Sequence, residues 1–177
     1  MRLLNYSRIP LLIWLMTLAA CNNSQPATEK VADTNTSASQ SAKTSYLRMK
    51  VNGKTWEADH ELTGIVFPNG YNKAILIGGT KGPKDKYEQT FNLNLYNCNG
   101  VGVYDIESGN KDGSEIQLGN LSEANYLYGN VLGFRMKVAI SKLSKAPVEI
   151  EAVFEGQMTG NAGDTIHITE GKFYYHE

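Results

Sequence analysis

Val148-Glu149-Ile150-Glu151-Ala152-Val153-Phe154-Glu155 sets an apolar side chain at every second position, with glutamates between them and only Val153 out of step. A strand turns successive side chains to opposite faces, so this alternation means one face on a core and one in water. Upstream, Met136, Val138 and Ile140 alternate with Lys137, Ala139 and Ser141. Downstream, Ile166 and Ile168 flank His167, and Phe173 to Tyr175 forms a closing strand after Gly171. Further out, Phe91, Leu93 and Leu95 alternate with Asn92 and Asn94, as Leu47, Met49 and Val51 do with Arg48, Lys50 and Asn52. Asn52-Gly53 reads as a hairpin turn because both residues tolerate positive φ, with Thr55-Trp56-Glu57-Ala58 as the returning strand. Ala74-Ile75-Leu76-Ile77 is continuously apolar, as in a strand covered on both faces.

Turn signals separate these runs: Pro68-Asn69-Gly70, Lys81-Gly82-Pro83, Asn99-Gly100, Asp112-Gly113 and Asn161-Ala162-Gly163. Roughly eight to ten short strands predict an all-β domain, an antiparallel β-sandwich, with a lipocalin-like β-barrel as the alternative. A helical or irregular stretch is expected between Gly119 and Asn125, where Ser122 can cap a turn. The two glycines of the Val101-Gly102-Val103 region predict a bulged strand edge.

The ends of the chain differ in character. Met1 to Ala20 has a cationic start, with Arg2 and Arg8, then an apolar run from Ile9, then small residues at Ala19 and Ala20. That order is a secretory signal, and the apolar run of about a dozen residues is short of the roughly 20 a spanning helix needs. Asn22 to Ser45 is rich in Ser, Thr, Asn, Ala and Gln without apolar period. Such a stretch buries too little to offset its ordering entropy and is expected to be a flexible tether with a reach on the order of 25–30 Å. The division expected is therefore a signal peptide at 1–20, a lipidated Cys21 and linker at 21–45, and an all-β domain at 46–177.

Leu18-Ala19-Ala20-Cys21 resembles the lipobox of bacterial lipoproteins. The resemblance implies a diacylglycerol on the Cys21 sulfur, cleavage before it, and acylation, commonly by palmitate, of the new amino terminus. Two or three chains supply the stable membrane attachment that a single chain cannot. Asn22 stands where lipoproteins kept at the inner membrane often carry Asp, so the resemblance points to the outer membrane of the cell envelope. The domain itself opens with Asn52-Gly53-Lys54-Thr55-Trp56-Glu57-Ala58, carries Gly102-Val103-Tyr104-Asp105-Ile106 in its middle and closes with Ile168-Thr169-Glu170-Gly171-Lys172-Phe173. This is similar to a group of small, largely uncharacterised lipoprotein β-domains of Gram-negative bacteria, for which no catalytic residue is established.

Composition narrows the functions. Net charge is -1 over 177 residues, and the part after Cys21 carries 15 basic against 18 acidic side chains. That excludes the basic footprint of a nucleic-acid partner. Once Cys21 is acylated, Cys98 has no partner within the chain, so its first reading is a buried, inert thiol, with an intermolecular disulfide or redox role as alternatives. Asp59-His60-Glu61 is the densest group of potential ligands, but a regular strand would put Asp59 and Glu61 on one face and His60 on the other. A solvated loop is expected there. His167 should face outward, His176 adjoins the end of the chain, and Asn110-Lys111-Asp112-Gly113-Ser114-Glu115 lacks calcium-loop spacing and reads as a turn. The serines beside glycine at Ser108 and Ser114 form no nucleophile elbow. Trp56 is expected as a core plug. Tyr104, Tyr126 and Tyr128 are the candidate ligand-facing aromatics, since flat rings stack on sugars or peptides; buried rings with hydroxyls at the rim are the alternative. The function expected is a non-enzymatic binding or structural module without metal or cofactor, held on the lipid bilayer, whose partner is an envelope protein or a glycan. A small-ligand carrier with a barrel cavity is the alternative; an undetected hydrolase ranks below both.

Overall fold

The computed structural model of the chain describes residues 43–67, 73–98 and 100–177. The expected signal peptide, Cys21 and nearly all of the linker lie outside the described residues, as do the Pro68-Asn69-Gly70 turn and Asn99. Every strand belongs to the unit Ser41–Glu177.

Eleven strands follow one another: β1 (Tyr46–Val51), β2 (Lys54–Glu57), β3 (His60–Phe67), β4 (Ala74–Lys81), β5 (Gln89–Tyr96), β6 (Gly102–Glu107), β7 (Glu115–Gly119), β8 (Leu127–Gly129), β9 (Phe134–Lys145), β10 (Val148–Thr159) and β11 (Thr165–His176). They form two antiparallel sheets, one of six strands in the order β2-β1-β11-β10-β9-β6 and one of five in the order β3-β4-β5-β7-β8. The sheets stay separate, so the molecule is a β-sandwich and the barrel alternative is not realised. Strands exceed the expected number because β3 and β7 lie in runs whose sequence gives no clear alternation.

The alternating runs supply the core. Leu47, Met49 and Val51 of β1, Met136, Val138 and Ile140 of β9, and Ile150, Ala152 and Phe154 of β10 all point inward from the larger sheet. Phe91, Leu93 and Leu95 of β5 face them from the smaller sheet, with the Phe91 and Phe154 rings stacked at 5.3 Å across the interface. Val153 lies on the outer face, so its apolarity does not break the period of β10. Asn52 and Gly53 take φ of 48° and 77°, the paired positive values of a two-residue hairpin. In β4, Ala74, Ile75 and Ile77 are buried and Leu76 is half-buried.

Several local expectations are corrected. Ile166–Ile168 and Phe173–Tyr175 belong to one strand, β11, which bends at Glu170 (φ 53°) where its register against β1 and β10 shifts. A bulge absorbs one residue and resets the alternation, which hides the continuity in sequence. β6 pairs with β9 in unbroken register from Gly102 to Glu107, so the bulge expected near Val103 is absent. The stretch after β7 is irregular, as expected: bends occupy 121–124, and Ser122 Oγ accepts the Asn125 N–H at 3.1 Å. A 3-10 turn lies later, at Asn130–Leu132.

Candidate functional site

The three candidate aromatics do not share a face. Tyr128, the middle residue of β8, is buried, and its hydroxyl donates to Asp164 Oδ2 at 2.7 Å. Burial, reinforced by that carboxylate, pushes its phenol up to about 12. Tyr126 lies just before β8 and is 62% exposed. Tyr104 belongs to β6 of the other sheet, half-buried, with its hydroxyl donating to the Gly100 carbonyl at 2.6 Å. A stacking platform made of all three is therefore not present. Trp56 is a core plug: it is 2% exposed, packs on Phe91 and donates its indole N–H to Gln89 Oε1 at 2.7 Å.

A concavity lies at the end of the sandwich where β3 stops and the β9–β10 turn closes. It encloses about 490 Å³, within the range of small-ligand sites. Val66, Ala74, Ile75 and Leu143 give it an apolar wall, and Phe67 stands half out of it. Lys73 and Lys145 line it as well, and both are exposed. Cys98 closes the inner wall; burial raises its thiol pKa, which keeps it protonated and poorly reactive, as the inert reading expects. The chain enters the domain at this same end, since Tyr46 pairs with Tyr174 and Lys43 Nζ sits 3.0 Å from Glu151 Oε1. Sequence reading missed the cleft because its residues come from four separate segments.

At the opposite end of β3, Asp59-His60-Glu61 is more organised than a solvated loop. Glu61 has a φ of 52°, and the register against β4 shifts between His60 and Thr63. That bulge undoes the strand rule that would separate His60 from Glu61. Thr80 fixes the backbone from both sides: its carbonyl accepts the Asp59 N–H at 2.9 Å, and its hydroxyl donates to the His60 carbonyl at 3.1 Å. The His60 ring, 20% exposed, donates Nδ1–H to Asp59 Oδ1 and Nε2–H to Glu88 Oε1, the latter at 2.7 Å. Glu88, and to a lesser degree Asp59, raises the His60 pKa. The Gly82 N–H, with help from His60, lowers that of Asp59. Glu61 pairs with Lys84 at 3.0 Å, which lowers the carboxyl and raises the amine. Sequence offers no signal for Glu88 or Lys84; the β3–β4–β5 pairing carries them there.

The remaining candidates are structural. Asn110 holds its turn by hydrogen bonds to Glu107 O, Ser114 O and Ser114 N, and the Ser114 hydroxyl accepts the Tyr96 N–H at 2.9 Å. His167 and His176 are exposed. In comparisons with known proteins the chain matches no family model, no curated protein and no solved structure.

Proposed function

We propose that this chain is a lipid-anchored protein of the cell envelope, in the outer membrane, whose β-sandwich binds a partner without catalysing a reaction. Acylated Cys21 supplies the membrane attachment, and the segment from Asn22 to Ser45 spaces the head from the bilayer. The observation that carries the binding reading is the cleft of about 490 Å³ at the end of the sandwich. Its apolar wall and the lysines Lys73 and Lys145 suit a ligand with both an apolar portion and a negative charge. An acidic envelope glycan or an acidic segment of an envelope protein has that chemistry. The carrier reading needs a cavity inside a closed barrel, whereas here two separate sheets press core side chains together at almost zero exposure.

Two measurements test the two parts. Mass spectrometry of protein from its native host should find diacylglycerol on Cys21, and Cys21→Ala should leave the membrane fraction; an unmodified thiol refutes the anchor. For the cleft, the wild type should bind acidic fragments from an array of envelope glycans and peptides. A Lys73→Glu/Lys145→Glu variant should lose that binding with an unchanged melt. Equal binding by both proteins removes the cleft from the account.

A further inference from the structure

We propose that His60 Nε2 and the carboxylates of Glu88 and Glu61 form a binding site for a zinc-class divalent cation, with Asp59 holding the imidazole from behind. The site lies at the far end of β3 from the cleft and does not depend on what the cleft binds.

Four observations converge. One ligand atom from each of His60, Glu61 and Glu88 falls within 4.8 Å of the other two. Three protein ligands with a fourth position open to water is the usual arrangement of an accessible zinc site. Zinc bonds of about 2.0–2.1 Å place tetrahedral ligand atoms roughly 3.3 Å apart. The His60–Glu88 separation of 2.7 Å falls about 0.6 Å short of that spacing, and the Glu88 carboxylate has to swing off the Nε2 axis to admit the cation. Glu88 can provide that from its side chain alone, since its backbone is pinned by the Asn120 amide on its carbonyl at 2.8 Å and by its own N–H to Asp85 O at 3.1 Å.

Asp59 supplies what bare ligand counting leaves out. A metal-bound histidine commonly donates its other ring N–H to a carboxylate, which fixes the tautomer and aims the lone pair. Asp59 Oδ1 takes the Nδ1–H, leaving Nε2 for the cation, and Asp59 Oδ2 is itself held by the Gly82 N–H at 3.1 Å. The left-handed backbone at Glu61 provides the remaining arm. A non-glycine residue at such a φ carries strain that regular strand pairing would avoid, and here a Glu61 carboxylate oxygen lies within 4.8 Å of the ligand atoms of His60 and Glu88. Charge closes as well: the cation displaces the Nε2 proton to solvent, and the neutral His60 left behind with two glutamates balances its double charge. Lys84, now paired with Glu61, is 68% exposed and free to swing into water when Glu61 takes the metal. An imidazole donor selects zinc-class ions over calcium or magnesium, which prefer all-oxygen sites.

The test is calorimetric titration of the full chain in non-ionic detergent with zinc chloride, and in parallel with calcium chloride. The wild type should bind one zinc ion per chain and melt at a higher temperature with zinc present. His60→Ala should abolish that binding. Glu88→Gln should weaken it at least about tenfold, and Asp59→Asn by about 10–100-fold, as expected for loss of an outer partner. Calcium should give no saturable heat. No zinc binding by the wild type, unchanged binding in the variants, or equal affinity for calcium would each overturn the assignment. Should His60→Ala lack a cooperative melt, the near-isosteric Glu88→Gln and Asp59→Asn decide the question by the same criteria.

Discussion

Replacing Trp56 by alanine tests the packing of the two sheets most directly. The ring is 2% exposed, closes the first hairpin over the core and tilts against Phe91 at 6.1 Å. Truncation to the β-carbon returns about 150 Å² of apolar surface to the solvent account, which at about 25 cal/mol per Å² is close to 4 kcal/mol. That agrees with the roughly 3–5 kcal/mol typical of aromatic-to-alanine changes in cores. The lost hydrogen bond adds little, because Gln89 is only partly buried and water can replace the indole. Trp56→Phe keeps a ring on Phe91 and should cost about 1–2 kcal/mol. Urea unfolding followed by far-ultraviolet circular dichroism measures both, with an unchanged m-value expected. The reasoning is refuted if alanine costs under about 1 kcal/mol. It is also refuted if phenylalanine costs as much as alanine, which would shift the weight from burial to the hydrogen bond.

Other consequences are accessible to simple measurements. His60 has a raised pKa in the fold, so its contribution to stability is complete below the unfolded value and disappears as pH rises through the folded one. Without added metal, stability should therefore decline as pH climbs above about 6.5, less steeply in His60→Gln, and equal slopes in both proteins would contradict the Asp59–His60–Glu88 contacts. Tyr128 should ionise near 12, and its stabilisation should fade between the unfolded value near 10 and that point. Tyr128→Phe should remove this late step from an absorbance titration at a cost of about 1–2 kcal/mol; an unchanged titration curve counts against the Asp164 contact. Cys98 should react with a thiol reagent far more slowly than free cysteine at neutral pH and at full speed once urea unfolds the domain, whereas rapid native labelling would show an open thiol.

Much of the sandwich was legible because period two and a one-sided core coincide in β1, β5, β9 and β10. β3 was not legible: His60-Glu61-Leu62-Thr63-Gly64-Ile65-Val66-Phe67 carries a bulge near its start, and Gly64 takes the inward place facing Tyr175. The same bulge explains why the histidine cluster looked like a loop, since it breaks the face rule that sequence reading had to assume. Glu88 lies 28 residues from His60, and only the pairing of His60 with Thr80 and of Lys81 with Gln89 brings them together. Tyr126 and Tyr128 have matching parity, but β8 begins at Leu127, so the rule for one does not extend to the other.

The first strand of the domain and its last lie side by side, and they run so that the amino-terminal start and the carboxyl-terminal finish meet: the Ser45 hydroxyl accepts the His176 N–H at 3.1 Å. Mechanically, a pull between these two ends loads the β1–β11 rungs one at a time, like a zip. A pull between residue 43 and Asp164, at the start of β11, loads the same rungs in parallel. Single-molecule extension should find the first geometry yielding at the lower force. A domain held at its amino-terminal end and drawn on by its carboxyl-terminal end would thus open first along the seam between β1 and β11.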